Sequence, residues 1–380
     1  GTAGTAIVGT NPGVVPLNAV VVPPHAKSGS RTQAAFSASG DGGHGPVRAA
    51  ACPLAGWVSG EPDPCVAVEL LRNGAFFQAG VPPAALRSPI QFWSTCYNNW
   101  CSLLQRTDDL GGYLVRNEEG TNDGAIVPFE RPDVMEGRKV RFLPALVSLT
   151  SARGTYRTEL TLGWRSPDVH PPLSLDFGVT YRSDDGAWTI PITIPAREVV
   201  GIPDAGAWLA AHGVPVDPAN AEGTLTFTSG REEGAASLLV TAIVTARGPG
   251  ASGDYGVSVP VFNEVEWASS EAIVPGLRED GAFRSNLALA NPEPSSGPST
   301  TLEVSVHSAS DGKAVGTFPQ VTLGPGQRVQ LNQLLSTVDY SGEAFALVRR
   351  TGGEGRFVAY AAMNDNVTGD GTLFPMTRSR

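Results

Sequence analysis

The chain is poor in charge. Asp, Glu, Lys and Arg make up 17% of its 380 residues, and Lys27, Lys139 and Lys313 are the only lysines. The net charge is −10 and no basic cluster stands out. A phosphate-binding face needs concentrated Lys and Arg, so nucleic acid is not an expected partner. Long apolar runs are missing too. Residues 14–22 form one of the longest, and Pro16 and Asn18 break it. A membrane-spanning helix needs roughly 20 residues, so membrane insertion is not expected.

Catalytic patterns are equally scarce. His25, His44, His170, His212 and His307 are the only histidines, and none lies in a His-x3-His spacing. No Gly-x-Ser-x-Gly elbow and no phosphate-cradling glycine loop occurs, and Ser37-Ala38-Ser39-Gly40 reads as a loop. The expectation is a protein without enzymatic activity and without a cofactor. Cysteine is absent from the last two thirds of the chain. Cys52, Cys65, Cys96 and Cys101 form an even, clustered set, which suggests two disulfides and an oxidising compartment. Cys52–Cys65 with Cys96–Cys101 is the most economical of three connectivities. Zinc does not fit, because Cys52 and Cys65 lie too far apart in sequence for a ligand pair.

What the chain does have is turn residues and self-similarity. It carries 45 Gly and 31 Pro among short Val-, Leu- and Thr-rich runs, a β-rich composition with many tight turns. Gly154-Thr155-Tyr156-Arg157-Thr158-Glu159-Leu160 returns as Gly281-Ala282-Phe283-Arg284-Ser285-Asn286-Leu287, with an echo at Ser30-Arg31-Thr32. Arg31, Arg157 and Arg284 stand 126 and then 127 residues apart, a domain-sized step. The expected fold is all-β: an N-terminal arm at 1–15 and three sandwiches at 16–135, 136–263 and 264–380. The repeated arginines read as structural, bonding carbonyls or a carboxylate at a corner of each unit.

Within the last unit, Leu302-Glu303-Val304-Ser305-Val306-His307-Ser308 alternates as a half-buried strand should. Asp311-Gly312 signals a two-residue hairpin, residues 318–323 the returning strand, and Gly324-Pro325-Gly326 the next turn. In the middle unit Asp185-Gly186 matches that hairpin. Ala207-Trp208-Leu209-Ala210-Ala211-His212 reads as a helical turn in a surface insertion. In the first unit, Ala67-Val68-Glu69-Leu70-Leu71 before Arg72-Asn73-Gly74 matches the hairpin before Asp185-Gly186. Gly112-Tyr113-Leu114-Val115-Arg116 matches residues 344–349.

Phe283-Arg284-Ser285-Asn286-Leu287, Leu323-Gly324-Pro325-Gly326, Gln330-Leu331-Asn332 and Asn366-Val367-Thr368-Gly369-Asp370 together resemble a tandem β-sandwich module of bacterial secreted and surface proteins. The resemblance implies immunoglobulin-like sandwiches outside the cell. It implies no active site.

Three local features remain. Trp93, Tyr97 and Trp100 crowd a loop segment that Cys96–Cys101 would stiffen, and rigid aromatic faces stack on sugars or anchor proteins. The segment therefore reads as a lid, a subunit contact or a glycan site. The acidic loop 364–371, with Asp365 and Asp370, reads first as a turn and second as a calcium site. The arm 1–12 has no charged side chain. Ala6, Ile7 and Val8 either pair within their own unit or add as a strand to a neighbouring subunit. The favoured function is a self-associating subunit of a bacterial fibre, pilus or surface layer, with adhesion to carbohydrate or a cell surface second. An accessory region of a secreted hydrolase comes third.

Overall fold

The computed structural model describes residues 140–378, apart from 152–153, 166–173, 196–197, 230–236, 249–254 and 368–370, together with the backbone of eight strands before residue 140. The described residues are all-β, with two short helices. The first strands are β1 (Val15–Val20), β2 (Arg31–Ala38), β3 (Val47–Pro53), β4 (Val66–Leu70), β5 (Phe76–Val81), β6 (Ile90–Cys96), β7 (Leu110–Asn117) and β8 (Gly124–Pro128). They form two four-stranded antiparallel sheets, β4-β3-β6-β1 and β5-β2-β7-β8.

Next come β9 (Val140–Ser151), β10 (Gly154–Arg165), β11 (Ser174–Ser183), β12 (Gly186–Pro195), β13 (Val200–Ile202), β14 (Asn220–Ser229), β15 (Ser237–Arg247), β16 (Tyr255–Val259) and β17 (Phe262–Asn263). Formally these are one nine-stranded sheet, β12-β11-β14-β9-β10-β15-β16, with β13 on β10 and β17 on β9. The sheet is continuous only where β9 and β10 pair at the tip of their hairpin, from Ser151↔Gly154 to Leu149↔Tyr156. Beyond it β9 follows β14 and β10 follows β15. The two halves close on a core that includes Leu143, Leu162, Trp164, Phe177 and Phe227.

The last strands are β18 (Glu271–Glu279), β19 (Phe283–Ala290), β20 (Thr300–Ser308), β21 (Ala314–Thr317), β22 (Val321–Leu323), β23 (Arg328–Leu331), β24 (Gly342–Gly353), β25 (Val358–Asp365), β26 (Gly371–Pro375) and β27 (Thr377–Arg378). They form the sheets β21-β20-β24-β18-β27 and β23-β19-β25-β26, with β22 on β20. Strand β20 is buried at every second residue, so the alternation read from sequence holds along its length.

One strand order therefore recurs. The sheet β4-β3-β6-β1 is matched by β12-β11-β14-β9 and by β21-β20-β24-β18. The sheet β5-β2-β7-β8 is matched by β13-β10-β15-β16 and by β23-β19-β25-β26. Registers recur as well. Across three strands the rows read Arg31–Asn117–Gly124, Arg157–Thr245–Gly256 and Arg284–Asn364–Gly371. Each opening strand also shifts register by one residue beside a proline: at Pro16 in β1, Pro144 in β9 and Pro275 in β18. Proline cannot donate to a ladder, and a bulge lets the chain carry it.

The same topology corrects several strand matches. Residues 67–70 lie in β4, the counterpart of β12 and β21, so they follow the hairpin loop and do not precede it. Residues 112–116 lie in β7, the counterpart of β25, whereas 344–349 lie in β24. Alternation looks alike in every half-buried strand; only sheet order separates them. The middle hairpin turns on Asp184-Asp185, because Ser183 pairs with Gly186. The loop containing Asp311-Gly312 is longer than two residues: Gly312 N–H donates to Ser308 and Ser308 N–H to Lys313. The returning strand is split into β21 and β22, on either side of residues 318–320. Helix α1 (Ala205–Ala211) buries Ala205 and Leu209 in the core beside β9 and β10, while Ala207 and Ala211 stay exposed. The second helix, α2 (Leu334–Thr337), buries Leu334 and Leu335.

Candidate functional site

Among the described residues no three His, Cys, Asp or Glu side chains converge as a metal site would require. No helix among them is long and apolar enough to cross a membrane. Asp365 ends β25 and its Oδ1 accepts the Val367 N–H at 2.6 Å, a local Asx turn. Asp370 lies outside the described residues, as do Tyr97, Trp100, Cys65, Cys101, Ala6, Ile7 and Val8. Cys52 falls in β3, and Cys96 is the last residue of β6. Trp93 is a strand residue of β6, paired with Ala50 and Pro16, and does not belong to a loop. His307 stacks on Phe345, ring centroids 5.2 Å apart, and its Nδ1 lies 3.1 Å from the Gly312 carbonyl oxygen.

The repeated motif works through a neighbour of its arginine. Arg157 is exposed and reaches Asp204 at 3.4 Å; Arg284 donates to Asn366 Oδ1 at 2.6 Å. The adjacent hydroxyls are fully buried. Thr158 Oγ1 accepts the Val147 N–H at 2.8 Å and donates to the Val147 carbonyl at 2.9 Å. Ser285 Oγ does the same for Arg278, at 2.8 Å in both directions. Val147 and Arg278 each lie three residues after the bulge proline. Where the opening strand leaves its neighbour, one side chain replaces the missing ladder partner and satisfies two buried backbone groups. Thr32 has the same place beside Arg31, so the repeat carries its buried hydroxyl position one residue after the arginine.

The most developed polar site joins the second strand set to the third. Asn291 is fully buried, and its Nδ2 donates to the carbonyls of Pro298 and Leu323, both at 3.1 Å. Its Oδ1 accepts the Glu293 N–H at 3.0 Å, which fixes loop 291–294 beside the Gly324-Pro325-Gly326 turn. That turn needs Gly326 twice over: its φ is +73°, and an added Cβ would sit 2.3 Å from Arg182 Cδ. The opposing surface belongs to the second set. Thr224 Oγ1 donates to the Gly326 carbonyl at 3.0 Å, and Arg182 Nη1 to the Glu293 carbonyl at 2.8 Å. Arg328 pairs with Glu222 at 2.5 Å.

Apolar contacts cross the joint in both directions. Phe142 of β9 is buried in the last core, and Ala288 and Tyr360 of the last set are buried in the middle core. Burial pushes the Tyr360 phenol up to about 12. Behind the loop, Arg356 holds Glu293 through Nε at 2.7 Å and lies over the Trp267 ring, 4.4 Å from its centroid. Burial alone would push the Glu293 carboxyl up; the Arg356 hydrogen bonds outweigh it and hold the group below its ordinary value. Chemically this is a site for cohesion: its hydrogen bonds are internal, Glu222 and Glu293 are paired with Arg328 and Arg356, and the Arg182 guanidinium is held by a backbone carbonyl, its buried Nε without a partner.

No protein-family model matches the chain, and no curated protein matches its sequence.

Proposed function

We propose that this chain is a non-catalytic structural protein of three tandem immunoglobulin-like sandwiches, exported by a bacterium, that self-associates into a surface fibre, pilus or layer. The observation that carries the reading is the recurrence of one strand order and one set of registers along the chain. Copied sandwiches whose conserved registers serve cohesion suit a load-bearing rod better than a single catalytic centre. The joint supports it further, since buried apolar residues and hydrogen bonds couple the last two strand sets. The β3–β4 ladder ends at Ala51↔Val66, and in the sequence Cys52 follows Ala51 while Cys65 precedes Val66. That adjacency favours the Cys52–Cys65 pairing and an oxidising exterior.

Several described sheet edges are poor templates for strand addition. Edge strand β12 carries Pro191 and Pro195, while β13 and β22 have three residues each. Association through faces is therefore favoured over association through those edges. The test is sedimentation velocity of the full chain over a concentration series at neutral pH. Growing species support the proposal; one monomeric species at every concentration refutes it.

A further inference from the structure

The surface of the middle strand set that receives the last set is repeated on the last set itself, and there its side chains are exposed or only partly buried. The alignment follows from register. The bulge prolines Pro144 and Pro275 match, so Phe142 corresponds to Ile273. Phe142 pairs with Thr226 and Ile273 with Leu347, so those two correspond. Stepping along the strands, Thr224 corresponds to Phe345, Arg182 to His307 and Glu222 to Glu343.

The two surfaces differ in cover. Phe142 is 0% exposed, Thr224 1%, Thr226 8% and Arg182 8%, and Phe142, Thr224 and Arg182 contribute to the joint. Ile273 is 41% exposed, and Phe345, Leu347 and His307 are only partly covered. The open copy is also the more apolar: Thr224 and Thr226 are replaced by Phe345 and Leu347. Ion pair Arg349–Glu271, at 2.9 Å, lies along one side of the strip. An apolar strip with a polar margin has the composition of an interface.

We propose that this face of β20, β24 and β18 is a docking socket for the first strand set of a second copy of the chain. The inference rests on the self-association proposed above and names the surface that carries it. The occupant follows from the repeat. Within the chain, the socket on the middle set receives the last set, which shares its strand order. A second copy of the chain supplies a strand set of that same order, its first. Such a contact joins unlike surfaces, so it does not close on a two-fold axis, and it propagates into an open filament wherever its rotation does not close a ring. Trp93 fits the scheme: its register place in β6 is that of Thr224 in β14 and Phe345 in β24. This gives Trp93 a place in a socket between strand sets, in preference to a glycan platform.

The test compares the full chain with the double variant Ile273→Glu, Leu347→Glu by sedimentation velocity and electron microscopy, with circular dichroism melting as the folding control. The expected result is filaments for the parent, monomers for the variant, and melting temperatures within a few degrees of one another. Filaments from both proteins would overturn the socket while leaving self-association standing. Monomers from the parent as well would remove both. A second measurement covers a variant that misfolds: a photo-crosslinking phenylalanine analogue placed at position 345 in the otherwise unchanged chain. Intermolecular cross-links to peptides within 15–139 support the proposal. Cross-links only to residues 1–14, only to 140–380, or none between chains overturn it.

Discussion

Thr158 and Ser285 carry more of the fold than the arginines beside them. Each hydroxyl satisfies a backbone N–H and a C=O that the bulged opening strand leaves without a ladder partner. Thr158→Val keeps the shape and removes the hydrogen bonds, leaving two buried groups unpaired. It should cost about 1–3 kcal/mol in guanidinium unfolding, as should Ser285→Ala. Arg157→Ala, on an exposed pair, should cost less than about 1 kcal/mol. Glu293 gives the joint an acid limit. Its folded pKa is depressed, so its contribution is complete above the unfolded value of about 4.3 and is lost as pH falls through the folded value. Glu293→Gln should therefore lower the melting temperature at pH 7, and the difference from the parent should vanish in strong acid. Partial exposure of Arg356 screens the pair, which keeps the neutral-pH loss near about 1–2 kcal/mol.

Single elements were legible where alternation is strict and less so where register decides. Strand β20 can be read directly from residues 302–308, because every second side chain is buried. Residues 67–71 show a similar pattern, yet their sheet place follows from pairing with β3 alone, which no local pattern encodes. The hairpin at Asp185 was displaced by one residue for a related reason. Core-facing Ile190 and Ile194 must oppose Val179 and Leu175, and that register places the turn on Asp184-Asp185 whatever the local Asp-Gly signal suggests. The Gly324-Pro325-Gly326 turn was visible, but its role was not, since its partners Arg182 and Thr224 lie more than a hundred residues away. Gly326→Ala combines a disfavoured φ with a clash against Arg182. It should destabilise the full chain by about 1 kcal/mol or more, read from its unfolding midpoint.

At the scale of the whole molecule, repetition organises the chain. Arg31, Arg157 and Arg284 marked the period in the sequence, and the sheets built around them share one order. The joint could not be read beforehand, because it is assembled from strands β9, β11 and β14 of one set and two loops of the next. The last set presents Ile273, Phe345 and Leu347 on the counterparts of the strands that form the joint one set earlier. Electron cryo-microscopy of the full chain, concentrated at neutral pH, tests the central claim most directly. The account predicts filaments in which one strand order repeats three times per subunit and the last set of each subunit meets the first of the next. Isolated particles at every concentration, or subunits whose strand sets differ in connectivity, would contradict it.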